Sequence, residues 1–203
     1  MAINVESRNV PAIIASITEQ QKAQNYDVAI EIIFDNSDLL FGHKNWQMLR
    51  AILDAFPASL SKIDPRILYV AGRFLGRTGC IDNAINCLQK AEIHFSQNQP
   101  LRAAKCCLEL ARLYHTREDF RTAYHWVLEA ESHLSEEENV PLQADFLFRL
   151  AELCPDIGKL HESQTYARQA LVKFKRNGDV YGQFNASRLL AQVATQIGDY
   201  QET

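Results

Sequence analysis

Four segments of this chain repeat one pattern at intervals of 39 or 40 residues, and nothing else in the sequence constrains the fold as strongly. With Leu75, Tyr114, Cys154 and Ala194 aligned, one upstream column reads Leu68, Cys107, Leu147, Ser187. A small-residue column reads Gly72, Ala111, Ala151, Ala191, and a turn column reads Gly79, Glu118, Gly158, Gly198. Downstream, Ala84, Ala123 and Ser163 share a column, as do Ala91, Ala130 and Ala170. Self-similarity at such a period marks stacked supersecondary units that bury their apolar faces against one another.

The units are helical. In the clearest one, apolar residues recur at three- and four-residue steps: Ala103, Cys107, Leu110, Ala111 and Tyr114, then Phe120, Ala123, Val127 and Ala130. That spacing predicts helices over about 101–116 and 119–134, and no stretch alternates with period two. Breakers fall between them: Pro100 and Pro141 open units, and Gly79, Gly158, Gly178 and Gly198 close helices or make turns. The fold class expected is therefore all-α, a right-handed superhelical array of antiparallel helix pairs. At Gly72, Ala111, Ala151 and Ala191 the first helix must admit the second closely, with Ala84 and Ala123 answering from the other side.

These columns resemble the tetratricopeptide repeat, in which an aromatic or Leu position is followed by Leu-Gly, Tyr, Ala and Phe. Ala71-Gly72 with Leu75, and Leu110-Ala111 with Tyr114, match that pattern best. The aromatic position holds Leu68, Cys107, Leu147 and Ser187, and the period exceeds the usual value of about 34 residues. The longer period, the break at Phe56-Pro57 and the Asp64-Pro65-Arg66 opening are similar to the tetratricopeptide superhelix of MalT-type bacterial regulators. That resemblance implies a sensor or interaction segment of a larger regulator.

Residues 1–64 read as divergent N-terminal repeats or a cap, with helices over 10–22, 26–40 and 46–56, and residues 65–203 as the array. The last unit reads as truncated: its first helix is expected to reach Ile197, a turn to begin at Gly198, and Leu190, Ala191 and Ala194 to lie partly exposed. A fragment of a longer protein, with its effector downstream, is the expectation.

Composition narrows the function. A formal charge of −4 argues against general affinity for nucleic acid or anionic membranes. The N-terminus lacks the pattern of a signal peptide, and no apolar run is long enough to cross a bilayer. Five irregularly spaced cysteines do not form a disulfide framework, so the expected setting is cytoplasmic. No catalytic constellation, metal site or cofactor motif is found. His161-Glu162 lacks the second histidine of a zinc-protease motif, since Thr165 stands in its place. Cys106-Cys107, near His94 and His115 in sequence, reads as core packing, and Cys80 as an exposed thiol. Tyr69, Phe74, Trp46 and Trp126 read as packing aromatics, and Glu136-Glu137-Glu138 as a solvated loop.

One pattern points to binding. In tetratricopeptide arrays the first helix of each pair lines a concave groove, which here implies Arg66, Tyr69, Arg73 and Arg77, then Lys105, Leu108, Arg112 and His115, then Phe148 with Glu152 and Asp156. Five of these are cations on an acidic chain, and clustered arginines favour carboxylate or phosphate. The expected partner is a protein or peptide, acidic or bearing a free C-terminal carboxylate, held by Arg66, Arg73, Lys105 and Arg112 over Tyr69 and Leu108. The competing expectation pairs these arginines with Glu109, Glu152 and Asp82. Alternative functions are a small-molecule sensor with a pocket around Tyr69, Phe74 and Leu108, or a scaffold that self-associates through its C-terminal repeat.

Overall fold

The computed structural model describes residues 10–42, 46–134 and 140–201. The Glu136-Glu137-Glu138 loop and the N-terminal stretch 1–9 lie outside them. Among the described residues there are twelve α-helices, one turn of 3-10 helix and no strand. In chain order they are α1 (Val10–Lys22), α2 (Tyr26–Asp35), α3 (Ser37–Gly42), α4 (Trp46–Asp54), α5 (Ala58–Ser61), α6 (Pro65–Arg77) and α7 (Ile81–Phe95). Then follow α8 (Pro100–Thr116), α9 (Phe120–Ser132), α10 (Val140–Leu153), the 3-10 turn Pro155–Ile157, α11 (Leu160–Asn177) and α12 (Val180–Gln201).

Local chemistry sets most of these boundaries. Pro65 opens α6, and the Asp64 carboxylate accepts the Arg66 backbone N–H at 2.9 Å, satisfying a donor that the first turn leaves free. Asp119 does the same for α9 through the Thr122 N–H at 3.1 Å. Gly158 and Gly178 take left-handed φ of 78° and 74° at helix ends.

Two boundaries differ from the sequence reading by four residues or more. The helix expected over 26–40 breaks at Asn36, whose side-chain amide donates to the Ile32 carbonyl at 2.8 Å while its backbone leaves helical geometry. The turn expected at Gly198 does not form, because α12 continues to Gln201. Gly79, Glu118 and Gly158 in the same column do take positive φ. Glycine permits a left-handed turn but does not impose one.

The chain divides into two compact units, Met1–Ala91 and Glu92–Thr203, with the division inside α7. In the first, α2 packs on α1, α3 and α6, and α6 also meets α4 and α5. Its core holds Ile30, Ile33, Phe34, Leu40, Leu49 and Val70, each at most 2% exposed. In the second, α8 pairs with α9 and α10 with α11, and α12 packs on α11. One apolar cluster there joins Cys107, Leu108, Val127, Leu142 and Phe146, and another joins Phe148, Ala170, Phe174, Leu189 and Val193.

The small-residue columns are buried except at Ala191. Ala84, Ala123 and Ser163 are each 0% exposed, and so are Ala91, Ala130 and Ala170. Gly72 is buried against Ala84 and Leu88. The Ser163 hydroxyl donates to the Ala151 carbonyl at 2.7 Å, tying α11 to α10. In α12 Gly182, Ala186, Leu189 and Val193 are buried, while Ala191 and Ala194 are exposed and Leu190 is half-buried.

Candidate functional site

In the first unit, α6 carries Arg66, Tyr69, Arg73 and Arg77 at three- and four-residue steps. Arg66 sits at the capped start of the helix, where the carboxylate that caps the backbone also holds the guanidinium. Its nitrogens reach Asp64 at 2.8 Å, Asp27 at 2.7 Å and Glu31 at 2.9 Å. The Asp64 contact, strongest of these, raises the Arg66 pKa well above its usual range. Burial pushes the Asp64 carboxyl up, but hydrogen bonds from the Arg66 side chain and backbone outweigh it and hold the carboxyl below its ordinary value.

Arg73 is buried, at 6% exposure. It donates to the Ser37 hydroxyl at 3.0 Å and the Asp38 carboxylate at 2.6 Å, with its guanidinium 4.6 Å from the Phe41 ring centre and 5.5 Å from that of Tyr69. Tyr69 itself packs on Phe34, ring centres 5.1 Å apart, and is 3% exposed. This face of α6 is therefore fastened onto α2 and α3. Only Arg77, at the helix end, is well exposed.

In the second unit, α8 carries Lys105, Leu108, Arg112 and His115. Leu108 is buried in the core, and Phe148 of α10 is buried in an edge contact with Phe174. Arg112 donates to Glu109 at 2.7 Å, and one of its terminal guanidinium nitrogens is buried without a hydrogen-bond partner among the described residues. Arg149 of α10, which the sequence reading did not single out, pairs with Glu152. Burial pulls the Arg149 pKa down, but Glu152, Glu109 and Asp145 raise it further, so the ion remains charged. His115 meets Asp156 at 2.8 Å. Lys105 is half-buried. The residues expected to line a groove thus fall into two sets, one per unit, and Tyr69, Arg73, Leu108 and Phe148 have less than a tenth of their surface exposed.

The cysteines are free: Cys80 is exposed, Cys106, Cys107 and Cys154 are buried, and Cys87 is intermediate. Burial, then Glu162, pushes the Cys154 thiol up to about 11, which suits packing and not nucleophilic attack. Cys107 does not meet the histidines closest in sequence, since His94 is exposed and His115 faces Asp156. It meets Glu92 and His133 instead: the ligand atoms of Glu92, Cys107 and His133 all lie within 4.8 Å of one another. Sequence offered little sign of this trio, because its members come from three helices at irregular separations. The i,i+4 pair Glu129 and His133 was the only local signal.

Among the described residues, no helix is long and apolar enough to cross a membrane. No protein-family model matches the chain, and no curated protein matches it significantly. The solved structure described as BtubC (BKLC) from P. vanneervenii is similar in fold, with a TM-score of 0.65 at 17% identity, over 96% of this chain and 87% of that one.

Proposed function

We propose that this chain is a non-catalytic interaction module: a right-handed superhelical array of tetratricopeptide-type helix pairs that binds a protein or peptide as part of a cytoplasmic regulatory or signalling protein. The observation that carries the reading is the recurrence of one helix-pair contact. Gly72 meets Ala84, and Ser163 bonds to Ala151, twelve positions apart in each pair of columns. Ala111 and Ala123, equally spaced, are buried in one cluster. Arrays built this way act through the faces they display, and their units contribute mainly through contacts with neighbours.

The binding face we assign is that of α8, where Lys105, Arg112 and His115 follow one another at helical spacing. The Arg112 nitrogen lacking a partner would donate to a second carboxylate, which makes an acidic segment or a C-terminal carboxylate the favoured ligand. Titration with an acidic peptide, as free acid and as C-terminal amide, tests this. Arg112→Gln should weaken binding about tenfold or more, the effect of losing a charged hydrogen bond, and added salt should weaken it further. Affinity unchanged in Arg112→Gln would remove the site from α8.

A second reading is self-association through α12, favoured by Val180, Tyr181 and Phe184, which are 77%, 72% and 64% exposed. Sedimentation over a range of concentrations, wild type against Tyr181→Asp/Phe184→Asp, separates the two.

A further inference from the structure

We infer that Glu92, Cys107 and His133 form a site for a single divalent transition-metal ion, zinc being the best match, with Glu129 as the fourth ligand. The thiol, imidazole and carboxylate come from α7, α8 and the residue that ends α9, so three helices converge on one point inside the second unit. His133 is the C-cap of α9, and the Nε2 atom is buried with no hydrogen-bond partner among the described residues. The imidazole thus lies beside a thiol and a carboxylate with its buried Nε2 unbonded. Glu129, one turn before His133, brings a carboxylate oxygen to 3.9 Å from the same Nε2.

The donor set selects the ion. Sulfur, nitrogen and oxygen together suit a borderline-soft cation of tetrahedral preference, whereas magnesium and calcium take oxygen alone. Bonds of about 2.0–2.3 Å around zinc put neighbouring ligand atoms somewhat closer than 4.8 Å. The adjustment needed is a modest rotation of side chains on helices that already converge. Cys107 belongs to an apolar cluster with Ala104, Ala111, Ala123, Val127 and Ala130, and an apolar surround limits solvent access to a metal.

The test is cobalt and zinc titration of the full chain after chelator treatment. Wild type should bind one cobalt ion per chain with a sulfur-to-cobalt charge-transfer band, and zinc should displace it and raise the melting temperature. The band should disappear in Cys107→Ala and persist in Cys80→Ser and Cys106→Ala. His133→Gln, which leaves the core intact, should lower affinity by at least the roughly 10–100-fold typical of disturbed metal ligation. If Cys107→Ala fails to fold by circular dichroism, His133→Gln and Glu129→Gln decide. Absence of the band in wild type, its loss in Cys80→Ser, or wild-type affinity in His133→Gln would overturn the site.

Discussion

Gly72 and Leu88 approach so closely that a methyl group on Gly72 would come within 2.7 Å of the Leu88 Cγ and 3.1 Å of the Ala84 carbonyl oxygen. Leu88 is fully buried, so its branch point has no free direction in which to yield. Gly72→Ala should therefore destabilise the first unit. Overpacking costs about 1–3 kcal/mol, offset in part by the ~1 kcal/mol that alanine gains over glycine in a helix. Urea denaturation measures the net loss. A gain in stability would show that α6 and α7 can separate freely.

Glu118 holds a left-handed φ of 61° in the column where Gly79 and Gly158 take 90° and 78°. A side chain in that conformation is strained by about 1 kcal/mol. Glu118→Gly should raise the melting temperature slightly, whereas Gly158→Ala should lower it. Calorimetry of both variants checks the pair.

Arg73 fastens α6 to α3 through Ser37 and Asp38, and Ser37 is 1% exposed. Asp38 remains largely in water, so it tolerates the loss of its partner, whereas the buried hydroxyl does not. Arg73→Met should cost about 2 kcal/mol, within the range for hydrogen bonds to charged groups. Charge reversal there would test folding and not binding. Equal urea midpoints for wild type and variant would refute this.

The Asp64 carboxyl is held below its ordinary value of 3.8 by Arg66 despite burial. A carboxyl with a depressed folded pKa contributes stability that is present above the unfolded value and disappears as pH falls through the folded one. Asp64→Asn keeps a capping oxygen but loses the charge. It should be less stable than wild type at pH 7, and the difference should shrink below pH 4. A pH-independent difference would point to capping alone.

The helices and small-residue columns were legible because close approach leaves a direct mark on residue type: only Gly, Ala or Ser fits. Ionic partners leave none. Arg66 reaches Asp27 and Glu31, and Arg73 reaches Asp38, across separations of 39, 35 and 35 residues that no local pattern marks. Cys107 finds His133 and not the nearer His94, because helix rotation and not chain distance decides which side chains meet. The Gly198 turn was misread for a related reason, since a column conserves a position and not a backbone angle. Glu109, 8% exposed beside Arg112, was seen in sequence only as a possible partner, yet it also bears on the charge of Arg149.

The hydroxyl of Ser163 gives the units individual character. A chain of interchangeable modules could be lengthened by copying any one of them or shortened by deleting it. Here one pair depends on a bare backbone at Gly72 and another on the bond from Ser163 to Ala151. Each fastening recognises its own neighbour, so a shuffled array would place alanine where a donor is required and a side chain where there is no room. The order of the helix pairs is thus written into their contacts.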